Sequence, residues 1–315
     1  MAATALRKFA RAGRHFGPTW RCVYNLGPSL AYWFGKRPLS AEASQVLTDL
    51  NRDGVAITSV EALLGESACY EELCAAIGCL QGVLSEQITT ARVGASSAGK
   101  KTFILEYLGN NPVLDPDGIY ARFALQDSIL QIANAYLGMY TRLRYFNVWH
   151  TFPTEAQARE SQLWHRDRED RYILKMFLYM SDVDDGAGPL TYAAGSHAKG
   201  RMRREPAYFL ESDGVKRTDD AQMAEVSPPE NWVKATGRRG TIVFADTHGY
   251  HKGGLARERD RLMYLCMFTS PASESQELLK RSMRIAAPPE RKRAFALAAP
   301  KRGPWCALNP RFKSV

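Results

Sequence analysis

No run of about 18 or more apolar residues occurs in the 315 residues, so no stretch is suited to cross a bilayer as a helix. Arg7, Lys8, Arg11 and Arg14 near the start are not followed by an uninterrupted apolar segment, so a secretory signal is not expected. No cysteine pair has C-x-x-C spacing. Cys69, Cys74 and Cys79 recur at five-residue steps, which neither converge on one helix face nor fit zinc-ligand spacing, and Cys22, Cys266 and Cys306 stand apart. Reduced thiols and a cytoplasmic location are the expectation. RNP-like, zinc-finger and helix-turn-helix signatures are missing, as is any internal repeat, so no nucleic-acid partner is expected. The segment Gly94 to Thr102 approaches a phosphate-binding loop, but Lys101 stands where that loop needs Ser or Thr. No hydrophobic strand feeds it, so it reads as a Gly/Ser loop.

A hydrophobic fraction of 45% is enough for a sizeable core. The net charge of +9 is unevenly placed: residues 1–40 carry seven Lys/Arg and no acid, residues 271–315 carry +7, and the body between them is −5. Basic ends on a mildly acidic body suit contact with an anionic membrane surface or an acidic carrier. Residues 3–16 fit a short basic amphipathic helix with Leu6, Phe9, Ala10 and Phe16 on one face. The aromatic segment that follows, to Pro38, is interrupted by Gly27-Pro28 and is expected to wrap the body.

Ser40 is a good N-cap for a helix over 40–51, with Val46, Leu47 and Leu50 as its apolar stripe and Gly54 as its stop. A strand over 54–58 follows, then a helix over 67–88 and a punctuated helix over 127–138 closed by Gly138. The texture then changes to strands: Thr141 to Phe152, Tyr172 to Ser181, Pro189 to Ala193, Gly240 to Ala245 and Arg261 to Ser270. This predicts an α+β chain with a double-sheet β half. The organisation expected is a basic N-terminal arm (1–40), a single domain (41–270) with a helical part (41–139) and a β-rich core (140–270), and a basic tail (271–315).

Chemistry concentrates at Trp164-His165-Arg166-Asp167. On an extended backbone side chains two apart share a face, so His165 and Asp167 can offer an imidazole and a carboxylate to one ion. Two imidazoles and one carboxylate on one face of a metal make an open iron site. Of the six histidines, His15 lies in the basic arm, His150 ends a strand and His197 sits in a turn, leaving His248 or His251 as the second imidazole. Arg261 opens the next apolar strand, where its planar fork suits a carboxylate such as that of a 2-oxo acid.

The order of Trp164-His165-Arg166-Asp167, Phe177 to Thr191, Gly195-Ser196-His197, Gly240-Thr-Ile-Val-Phe244, His251 and Arg261 resembles the phytanoyl-CoA dioxygenase family of Fe(II)/2-oxoglutarate oxygenases. The likeness covers roughly residues 140–270. It implies a double-stranded β-helix (jelly-roll or cupin-like) core flanked by N-terminal helices. Iron would be held by His165, Asp167 and His251, with His251 preferred over His248, and 2-oxoglutarate by Arg261, with Asn147 as a second contact. It further implies hydroxylation of a small organic substrate with consumption of O2 and release of succinate and CO2. The carboxylate at Asp167 favours hydroxylation over halogenation. The distal turn Lys252-Gly253-Gly254 departs from the family in lacking a hydroxyl near the far carboxylate. The alternatives are a non-catalytic jelly-roll ligand binder and a metallohydrolase. Tyr145, Trp149, Trp164, Arg166 and Arg168 are the candidate pocket residues.

Overall fold

The computed structural model describes residues 16–97, 99, 101–208, 210–212, 215–273, 277–281 and 290–299. His15, Cys306, nearly all of the helix expected over 3–16 and most of the basic tail lie outside the described residues. The five described cysteines are free thiols.

The helical half follows its local signals. Ser40 accepts a hydrogen bond from Ala43 N at 3.2 Å and opens the helix Ala41–Asp53, Gly54 ends it in the left-handed region at φ 83°, and Ala43, Val46 and Leu50 form its buried stripe. The helix Asp127–Leu137 buries most of its residues and ends at Gly138, φ 68°. The single helix expected over 67–88 is instead two, Ala68–Val83 and Ser85–Gly94, separated by Leu84 at φ −94°, ψ 15°. Gly27-Pro28 does not interrupt structure. Pro28 sits in the first turn of the helix Leu26–Gly35, where a missing N–H costs no intrahelical bond.

Thirteen strands are described: β1 (Val55–Ser59), β2 (Ile104–Glu106), β3 (Val113–Leu114), β4 (Arg142–Thr151), β5 (Leu174–Tyr179), β6 (Leu190–Ala193), β7 (Leu210–Ser212), β8 (Val215–Arg217), β9 (Trp232–Ala235), β10 (Thr241–Asp246), β11 (His251–Gly253), β12 (Arg261–Thr269) and β13 (Lys280–Arg281). Six form an antiparallel sheet in the order β1-β10-β5-β12-β4-β2, and three form a second sheet, β11-β6-β9. The chain is therefore α+β, with helices preceding and covering antiparallel sheets.

Period-two alternation sorts the strands of the large sheet into two faces. Leu262, Tyr264, Cys266 and Phe268 of β12, with Leu174, Met176 and Leu178 of β5, join the helices in one core. Met263, Leu265 and Met267 of β12 and Phe177 and Tyr179 of β5 join Leu190, Tyr192 and Ala235 of the second sheet in another. All nine residues of β12 are buried, and each fully buried Leu, Met or Phe there contributes about 1.5–3 kcal/mol of burial. Arg261 shares the parity of Met263 and Leu265, so it enters the space between the sheets. Among the described residues no helix is long and apolar enough to cross a membrane.

Candidate metal centre

The segment after residue 160 is tied by isolated bridges rather than a full strand, one of them to β11 of the second sheet. Trp164 pairs with Thr218 and His165 with His251. The second pairing is reciprocal: His165 N donates to His251 O at 3.0 Å, and His251 N donates to His165 O at 3.1 Å. Trp164 turns outward into a cluster with Trp232 at 4.9 Å, its Nε1 donating to Asp220 Oδ1 at 2.7 Å. His165, one residue on, takes the opposite face. The alternation expected of His165 and Asp167 therefore sets Trp164 away from the site.

The rings of His165 and His251 lie 4.4 Å apart, and ligand atoms of His165, Asp167 and His251 all fall within 4.8 Å of one another. His165 Nε2 is 3.9 Å from Asp167 Oδ1, and His251 Nε2 is 3.8 Å from Asp167 Oδ2. Each imidazole is oriented by its other nitrogen: His165 Nδ1 lies 2.8 Å from Leu163 O and His251 Nδ1 3.0 Å from Gly249 O. Only an N–H can satisfy those carbonyls, so both Nε2 lone pairs face the shared space. Burial, reinforced for His165 by the neighbouring His251, brings the His165 pKa down to about 3 and also lowers that of His251. Both rings are neutral at neutral pH, as metal ligands must be.

Asp167 is held by its own N–H, which donates to Thr247 O at 2.9 Å. Lys175, on the same face of β5 as Phe177 and Tyr179, places Nζ 2.6 Å from Asp167 Oδ2. Burial alone raises the Asp167 pKa, but Lys175 first, then His251 and His165, outweigh it and hold the group well below the usual carboxylate range. The centre thus presents two neutral nitrogens and one ionised carboxylate, a donor set that fits a divalent iron with open positions.

Arg261 is 4% exposed, and Nη2 reaches only Thr151 Oγ1, at 3.5 Å, while Nε has no hydrogen-bond partner. Burial lowers its pKa, with the Tyr179 hydroxyl acting in the opposite sense. No carboxylate among the described residues pairs with it. A buried guanidinium left this way is costly unless an anion completes it. It lies beside β11, two residues beyond His251: a Cβ placed on Gly253 would stand 3.6 Å from Arg261 Nη2. Thr151, whose hydroxyl Arg261 reaches, is its β4 partner in register.

The remaining candidates separate clearly. His248 lies outside the converging group, its Nδ1 3.2 Å from the Asp167 carbonyl. Asn147 is fully engaged within the protein: Nδ2 donates to Tyr145 Oη at 2.7 Å and Gly109 O at 2.9 Å, and Oδ1 accepts from Leu108 N and Val148 N. It fixes the 106–109 segment and has no group left for a cosubstrate. Arg166 stacks on Tyr250, 4.0 Å from its ring centre, and donates to Ser196 O, and Arg168 is exposed. Tyr145 donates to Glu106 Oε2 at 3.1 Å, and Trp149 Nε1 lies 3.4 Å from the Tyr145 hydroxyl. Sequence reasoning missed Lys175 and Thr151. The available signal for Lys175 was a lone cation inside the apolar strand Leu174-Lys-Met-Phe-Leu-Tyr179. Thr151 had no such signal, since its relation to Arg261 is a matter of strand register.

No protein-family model matches the chain, and no curated protein matches it either. Similar folds occur among solved structures at low identity. They include EctD from S. alaskensis with bound Fe, at TM-score 0.49 and 14% identity over 79% of this chain and 91% of that one. The non-heme alpha ketoglutarate dependent carbocyclase SnoK from nogalamycin biosynthesis is similar at TM-score 0.48 and 15% identity, over 75% of this chain and 88% of that one. The epimerase SnoN, in complex with Fe3+, alpha ketoglutarate and nogalamycin RO, is similar at TM-score 0.46 and 16% identity, over 73% of this chain and 84% of that one.

Proposed function

We propose that the protein is an Fe(II)/2-oxoglutarate-dependent dioxygenase hydroxylating a small organic molecule. In this reading one oxygenase domain over 41–270 carries a double-stranded β-helix core of the phytanoyl-CoA dioxygenase kind. The observation that carries it is Arg261, a buried cation without a counter-anion, set beside two neutral imidazoles and an ionised carboxylate whose ligand atoms converge. A metallohydrolase needs the three ligands but has no use for the orphaned guanidinium.

His165, Asp167 and His251 would hold the iron. Arg261, assisted by Thr151, would take the far carboxylate of 2-oxoglutarate, the pairing for which a guanidinium fork is shaped. Bound iron would supply the activation of O2, coupled to release of succinate and CO2. The chain's own contribution is to fix the rings through Leu163 O and Gly249 O, keep Asp167 ionised through Lys175, and keep water from the space between the sheets. Asn147 has no part in this assignment.

Anaerobic addition of Fe(II) and 2-oxoglutarate should give a weak visible absorption band that His165→Ala abolishes together with metal retention. Arg261→Met should keep the metal and lose the 2-oxoglutarate response. Absence of the band, with metal retention indifferent to His165→Ala, would overturn the assignment.

A further inference from the structure

Of the ten exposed large hydrophobic side chains among the described residues, six, Phe16, Val23, Leu26, Leu30, Trp33 and Phe34, fall within one short segment and form a patch rather than scattered exposure. On the helix Leu26–Gly35, positions 26, 30, 33 and 34 share one face. Trp33 is 65% exposed and Phe34 82%. The opposite face is already used. Tyr140 N donates to Pro28 O at 3.2 Å, Tyr32 meets the Tyr140 ring edge-on at 5.7 Å, and a Cβ on Gly35 would stand 2.5 Å from the Tyr140 hydroxyl. The helix is therefore docked on the body with its most apolar face turned outward.

Its mounting is firm. Trp20, 3% exposed, donates from Nε1 to Asp170 Oδ1 at 2.7 Å, and Arg21 donates to the carbonyls of Leu137 and Gly138, which end a core helix. The apolar face also has a cationic border. Lys36 Nζ lies 4.1 Å from the Trp33 ring centre, and a pocket of about 180 Å³ at the end of the helix is lined by four cations, Lys36, Arg37, Arg291 and Lys292, against one carboxylate, Glu290. Lys292 is paired with Asp127 and, with Arg293, lies 3.6 Å from Glu290 Oε2, so that carboxylate is already engaged, whereas Arg37 and Arg291 form no ion pair among the described residues. The first 40 residues contain no acid at all.

We propose that this helix docks the protein on an anionic phospholipid surface. The helix lies in the plane of the interface, Trp33, Phe34 and Leu30 enter the headgroup–acyl boundary, and lipid phosphates meet Arg37 and Arg291. A second copy of the chain fits this face less well, because a symmetric contact would bring two sets of unneutralised arginines together. The metal centre plays no part in the inference, which stands or falls apart from the proposed chemistry.

The test uses the full chain with sedimented vesicles of phosphatidylcholine alone or mixed with phosphatidylglycerol. The wild type should pellet with the mixed vesicles. Trp33→Ser with Phe34→Ser should reduce partitioning by about tenfold or more, and Arg37→Glu with Arg291→Glu should remove the preference for phosphatidylglycerol. All these side chains lie at the surface or on the pocket rim, so unchanged melting temperatures would show that the variants are folded. A wild type that stays in the supernatant overturns the proposal, as does equal pelleting of the Trp33/Phe34 variant. A lipid-free dimer that this variant dissociates reassigns the face to contact between copies.

Discussion

Lys175 Nζ lies 2.6 Å from Asp167 Oδ2, so the one carboxylate of the converging group is paired with a cation in the metal-free protein. Lys175→Met leaves that carboxylate largely buried without its partner, at a cost of about 3 kcal/mol in the metal-free protein. A bound divalent ion replaces the lost charge. The variant should therefore lose more thermal stability without metal than with Mn(II) or Fe(II), and equal losses in melting scans would contradict this role.

His165 and His251 make the metal-free protein acid-sensitive. His165 is neutral in the fold down to about 3, against an ordinary value of 6.5. Between these limits the unfolded chain binds the proton and the folded chain does not, so stability falls as pH drops from about 6.5 towards 3. Asp167, lowered from 3.8, adds a loss in the same direction below that value. His165→Gln should flatten the slope of the urea midpoint against pH between 6.5 and 4, and an unchanged slope would count against a neutral buried His165.

Arg261 and Thr151 should separate by magnitude. Losing a charge-assisted contact costs about 1.5–3 kcal/mol and a neutral one about 1 kcal/mol. Arg261→Met is then expected to weaken 2-oxoglutarate binding by roughly ten- to hundredfold, and Thr151→Val by roughly fivefold. Titration of the anaerobic iron complex measures both. Equal effects would remove the distinction between anchor and helper.

Trp20 ties the N-terminal segment to the core through Asp170, whose Oδ2 also accepts from Ser270 N at 2.7 Å. Trp20→Phe keeps most of the packing and removes the donor. The expected loss is about 1–3 kcal/mol, readable in the chemical denaturation midpoint. A neutral result would mean that the Asp170 carboxyl does not depend on the indole.

Features that depend on local spacing were legible in the chain. His165 and Asp167 declared themselves by period-two alternation, Ser40, Gly54 and Gly138 by capping chemistry, and β12 by its apolar run. Features that depend on strand register were not. Thr151 faces Arg261 only because β4 and β12 pair as they do, and Lys175 meets Asp167 only because β5 packs beneath the segment after β4. Asn147 shows the opposite situation. Its position suggested a ligand contact, yet its amide is consumed by the 106–109 segment, which no local pattern announces. Gly27-Pro28 misled for a simpler reason, since a proline in a first turn is a start signal rather than a break.

The reciprocal backbone bonds between His165 and His251 join two parts of the chain that are distant in sequence, across a pairing that no local element forms first. Closing so long a loop has little enthalpic return until both sheets stand. His165 and His251 are therefore expected to meet late in folding. A metal ion added to the refolding chain would meet the whole site only after the rest of the β structure is in place, so its capture would clock the last stage of folding rather than start the first.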